Sequence, residues 1–201
     1  MQGKTGMQAE QAQAARLALL AQLARPVQHD VNNLFTVIFG NLDLLGRSAA
    51  EGAPQRQVGR IREAAQRLDA ATRAMLGLAR RPVPEDAAFA PQAALRALAP
   101  LLHILLPAPG ALLLELPEAD GWLVAQDRAG FDQAVLRLAS QVASLPRGSV
   151  LGLRLEQAEA AVTLTLTWPP GAEPPNPAAL AALTAQPAAG GWAAHWPRAG
   201  G

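Results

Sequence analysis

The chain has no cysteine and no tyrosine in its 201 residues, and its aromatics are four phenylalanines and four tryptophans. Without thiols there is no disulfide, no thiolate zinc site and no cysteine nucleophile, and the redox compartment is left open. Charge of one sign is missing too: 17 Lys and Arg face 16 Asp and Glu, a net +1. So even a balance builds no field for nucleic acid or anionic lipid, and basic residues are nowhere interleaved with aromatics as nucleic-acid modules require. The expected partner is a protein surface or a small molecule. Long apolar runs are absent as well. The best stretch, Leu95 to Leu116, is broken by Pro100, Pro107 and Pro109 and carries His103, and Gln8, Gln11 and Gln13 interrupt any signal-like N-terminus. A cytoplasmic protein outside the membrane is expected. The three histidines, His29, His103 and His195, are far apart and have no clustered acids, so no metal site is expected.

Present in quantity are alanine and leucine, which favour helix because both keep side-chain freedom in a helical turn. Apolar residues recur at Leu20, Leu23, Val27, Val31, Leu34, Ile38, Leu42 and Leu45, and again at Val58, Ile61, Ala65, Leu68, Thr72, Met75 and Ala79. Spacings of three and four mark two helical seams. Between them GRSAAEGAP forms a turn, with Pro54 suited to a first helical position. Residues 8–81 therefore predict an antiparallel helical hairpin. One hairpin cannot enclose a core, whereas two hairpins from two chains form a four-helix bundle, so the pattern predicts a homodimer. Docking on the rest of the chain is the other way to cover the seam.

After the proline-bearing linker RPVPED the pattern changes, and residues 87–201 predict a second, α+β domain. Gln92 to Leu106 reads as a helix with a proline kink, and Leu112 to Leu116 and Trp122 to Ala125 as strands. Asp127 is placed to cap a helix ending near Ser144. Val150 to Leu155 and Val162 to Trp168 follow as strands, the alternation VTLTLTW indicating a half-exposed antiparallel one. The tail from Pro169 holds at most one short helix near 177–185.

Chemistry concentrates in PVQHDVNNLFTVIFGNLDLL, residues 26–45. His29 lies two residues from both Val27 and Val31, so it points away from the seam, where a partner can reach it. Imidazole is a competent nitrogen nucleophile near neutral pH. Asp30 is placed to hold the ring, and Asn33, one turn on, to position a phosphoryl oxygen or a water. Phosphoryl transfer needs mainly alignment and charge stabilisation, so a sparse site suffices if the partner brings a metal and a carboxylate. Arg25, Gln28, Asn32 and Thr36 are the polar residues around His29 expected to meet that partner. Pro26 removes a helical hydrogen bond and predicts a bend just before His29.

The segment HDVNNLFTVIFGNLDLL closely resembles the phosphoacceptor segment of bacterial sensor histidine kinases, the shared core being His29, Asp30 and Asn33. The resemblance implies that His29 accepts phosphate, that Asp30 assists as general base and that Asn33 supports dephosphorylation. More weakly, the second half resembles a kinase ATP-binding domain, a Bergerat-like α/β sandwich, but a degenerate one. Arg137 and Gln141 stand where the family carries asparagines, PPGAEPP replaces the DxGxG turn, and PAAGGWAAHW is at best a remnant of the phosphate loop. The combination resembles the ChpT-type histidine phosphotransferases. It implies a phosphorelay carrier in two-component signalling, which exchanges phosphate with response-regulator receiver domains and uses neither ATP nor a cofactor of its own, with Mg²⁺ on the receiver. The alternative is a non-catalytic dimeric pseudokinase scaffold or inhibitor. His103 reads as an ordinary helix residue, Trp122 and Trp168 as packing residues, and His195 receives no role.

Overall fold

Helix-forming residues separated by a glycine-bearing turn build the first element pair. The computed structural model describes residues 28–29, 31–49, 51–80, 88–106, 108, 110–118, 122–158 and 160–199. Helix α1 covers 31–48, with 28 and 29 also helical, and α2 is Ala53–Ala79. Between them Gly52 adopts φ 102°, a left-handed conformation that glycine enters without a Cβ clash. A proline in the first turn of α2 costs no hydrogen bond there. Arg62 of α2 ties the pair, its guanidinium donating to Asp43 Oδ1 at 2.5 Å and to the Leu42 carbonyl at 3.2 Å.

Each of the two seams divides. On α2, Val58, Ala65, Thr72 and Ala79 are half-buried, while Ile61, Leu68 and Met75 are 54%, 58% and 67% exposed. On α1, Phe35 and Leu42 are buried and Phe35 stacks on Phe39, their centroids 5.9 Å apart. Leu34, Ile38 and Leu45 of the same predicted seam are exposed in the single chain. The hairpin is too thin to bury more than one side of each helix, so half of the apolar pattern stays uncovered in the single chain.

The chain divides into two compact units, Met1–Arg81 and Pro82–Gly201. The second is built on a five-stranded sheet in the order β1-β2-β3-β5-β4, from β1 Leu112–Glu115, β2 Leu151–Ala158, β3 Ala161–Thr167, β4 Gln186–Ala188 and β5 Gly191–Pro197. Only β1 and β2 are parallel, as suits a pair whose connection runs through a helix. Helices α3 Pro91–Leu105, α4 Arg128–Ala143 and α5 Pro177–Ala182 complete the unit. β3 alternates as VTLTLTW suggests, with Val162, Leu164 and Leu166 buried. Leu95, Leu98 and Leu102 of α3 and Phe131, Val135 and Leu138 of α4 are buried as well, and α3 packs on α4. An edge-to-face chain runs Phe89, Phe131, Trp196, with centroids 5.3 and 5.9 Å apart. The opposite sheet face is exposed, and there Glu115, hydrogen-bonded to Arg154, raises that guanidinium's pKa above its ordinary value.

Several expectations need correction. Trp122 to Ala125 is no strand; Val124 alone bridges Phe89 and Arg198. The tail carries two strands as well as a helix, and PAAGGWAAHW, read as at best a remnant of a phosphate loop, is a β-hairpin. Asp127 does cap α4, accepting from the amides of Ala129 and Gly130. No helix among the described residues is long and apolar enough to cross a membrane.

Candidate functional site

His29 is helical and exposed. Asn33, four residues on and also exposed, brings its Nδ2 to 3.3 Å from His29 Nδ1. The i,i+4 spacing causes this contact, because side chains one turn apart sit on one helix face. At about 100° per residue, His29, Asn33, Thr36 and Gly40 form one stripe, roughly 140° from the buried Phe35 and Leu42 side. Thr36 is exposed and donates its hydroxyl to the Asn32 carbonyl at 2.9 Å. At Gly40 a Cβ would meet nothing within 4 Å, so the stripe has a bare patch of backbone three turns beyond the histidine.

Gln28 and Asn32 are half-buried and lean towards the inner side of α1. The Asn32 Oδ1 is shut off from solvent and has no hydrogen-bond partner among the described residues. Asp30, Arg25 and the bend expected at Pro26 lie outside the described residues. The direct Asn33–His29 contact is not among the roles the sequence suggests for Asn33, though the i,i+4 spacing carries its signal.

The Asn33 amide can hold the ring in two ways. If Nδ2 donates to Nδ1, the ring proton sits on Nε2, which then has no lone pair to attack with. If the amide turns over, Oδ1 accepts Nδ1–H and the lone pair lies on Nε2. The orientation of this amide therefore bears on which ring nitrogen carries the proton.

In the second unit Arg137 is exposed. Gln141 is occupied by the chain itself: its Nε2 donates to the Pro174 carbonyl, and its Oε1 accepts from the Asn176 amide, both at 2.9 Å. His103 is exposed on α3, and His195 lies on the open sheet face, its Nδ1 3.0 Å from Thr163 Oγ1. Among the described residues no group of three or more His, Asp or Glu side chains is set to hold a metal ion.

No family model and no curated protein matches the chain. Solved structures are similar at low identity. One is the Acinetobacter baumannii histidine kinase AdeS, 14% identical over 86% of this chain and 98% of that one, with a TM-score of 0.42. Another is full-length ShkA, in complex with AMPPNP, 18% identical over 89% of this chain, with a TM-score of 0.36. The chain spans 44% of that ShkA chain, under half its length.

Proposed function

We propose that the protein is a histidine phosphotransferase of two-component signalling, in which His29 carries a phosphoryl group between receiver aspartates without use of ATP. The carrying observation is His29 itself, exposed on a long helix, on a stripe turned away from the packed side, with Asn33 at its ring.

The chemistry balances with these groups. The Nε2 lone pair attacks the phosphorus of an aspartyl phosphate on the receiver, and the N–P bond forms as the acyl O–P bond breaks. The receiver's aspartate leaves as carboxylate. The ring gains positive charge while Nδ1–H stays bonded to its acceptor, and return of the phosphoryl group to a second aspartate restores the neutral imidazole. Mg²⁺ on the receiver screens the phosphoryl oxygens. Asp30 is the family's base by resemblance, and Gln28, Asn32, Thr36 and Arg25 surround the docking face.

The protein works as a homodimer in this reading. Ile61, Leu68 and Met75 recur every seven residues and are exposed, as are Leu34, Ile38 and Leu45. Exposed heptads of this kind are what a second hairpin covers in a four-helix bundle. Independence from ATP is supported by Gln141, whose amide is engaged by the chain, and by PAAGGWAAHW, which is folded as sheet.

The test is incubation with a radiolabelled phosphorylated receiver. Acid-labile label is expected on wild type and none on His29→Ala. Equal label on both rejects the acceptor. Binding without label on wild type leaves the scaffold reading, a dimer that holds regulators but carries no phosphate.

A further inference from the structure

Segment 169–185 joins β3 to β4, and its composition, rich in proline and alanine, gives it little core of its own. It is nevertheless pinned at three places. At its start the Trp168 indole donates to the Glu173 carbonyl at 2.9 Å, closing a turn in which Gly171 takes φ 74°. At its end Thr184 takes φ 55°, and its hydroxyl accepts from the Trp196 indole at 3.0 Å. Between them Gln141 of α4 grips the Pro174 carbonyl and the Asn176 amide. Asn176 in turn caps α5, its Oδ1 accepting from the amides of Ala178 and Ala179. Pro175, Ala179 and Leu183 are buried, and α5 packs on α4.

We infer that Gln141 is a positioning residue that latches segment 169–185 onto α4, so that this segment is ordered by the chain itself and not by a bound ligand. A primary amide suits the task because it offers a donor and an acceptor at once, matched to one carbonyl and one N–H. Losing the latch frees the backbone amide of Asn176, the residue whose side chain caps the first turn of α5. A six-residue helix is too short to hold itself in water and depends on its cap and its packing. The inference rests on the proposed function only in its meaning, as the physical reason the second unit needs no nucleotide.

Hydrogen exchange on the full-length protein tests it, using Gln141→Ala and the isosteric Gln141→Glu. The carboxylate still accepts from the Asn176 amide but cannot donate to Pro174, so it keeps half the grip. Exchange at the amides of 176–185 should rise about tenfold or more in Gln141→Ala and by less in Gln141→Glu, each lost bond being of ordinary strength. The paired amides of β2 and β3 should keep their protection in both. Unchanged exchange at 176–185 in Gln141→Ala overturns the inference, and so does Gln141→Glu behaving as wild type, because packing alone would then suffice. Added protection of 176–185 in wild type on addition of magnesium AMPPNP also overturns it, since the ordering would come from a ligand. The His29 label is read in a separate assay, so failure of the latch and failure of the phosphotransfer reading are told apart.

Discussion

Asn33 separates two ideas about the acceptor, because it touches the ring that Asp30 was expected to hold. If it works by accepting Nδ1–H, then an acceptor-only side chain serves as well as the amide. Asn33→Asp should hold label transfer near wild type, and Asn33→Ala should slow it about two- to tenfold, the worth of one ordinary hydrogen bond. Nitrogen-15 spectra of His29 should show the proton on Nδ1 in Asn33→Asp. Equal losses in both variants would mean that the ring is not oriented from position 33. The sequence made this face legible, since the three-and-four spacing of the apolar residues fixes which side is wet, and the i,i+4 rule brings Asn33 to His29. It could not show which way Asn32 leans. Asn32 is adjacent to the stripe, and a rotation of a few tens of degrees decides between solvent and the inner side of α1.

Among the elements, the helices were read most directly. Seams at threes and fours define α1 and α2, and Asp127 marks the start of α4 because a carboxylate there satisfies amides the helix cannot. VTLTLTW announced β3 by its alternation. β4 and β5 were not legible, since Gln186–Ala188 and Gly191–Pro197 are poor in β-branched residues and hold proline, glycine and alanine. Tertiary pairing overrides propensity there. β5 lies between β3 and β4, and Gly191 leaves room for the Leu166 carbonyl, against which any Cβ would collide. The divided seam leads to a test of assembly. Leu68 is 58% exposed in the single chain, so a charge there should cost the hairpin's own fold little. In a symmetric dimer it removes about 1.5–3 kcal/mol of burial twice over, weakening association about 100-fold or more. Sedimentation should show Leu68→Asp as a monomer with unchanged helix content at concentrations where wild type is a dimer. A wild-type monomer, or an intact Leu68→Asp dimer, would place the contact elsewhere or remove it.

For the molecule as a whole, the distinction between a phosphate carrier and a kinase reduces to whether the second unit gains anything from nucleotide. A ligand that binds only the folded state stabilises it by RT ln(1 + [L]/Kd), about 2.7 kcal/mol when present at roughly 100 times its Kd. A domain of this size answers each kcal/mol with about 4 °C or more in Tm, so a functioning site saturated at about 1 mM magnesium AMPPNP should raise its melting transition by about 10 °C. Gln141 spends both its polar groups on Pro174 and Asn176, and the segment it holds buries Pro175, Ala179 and Leu183. Opening that segment to admit a ligand would subtract the cost of those contacts from any affinity. The expected melting curve is therefore the same with and without nucleotide, within about 1 °C, for wild type and for His29→Ala alike. A rise of several degrees in both would show that the second unit binds nucleotide and would overturn the proposed independence from ATP.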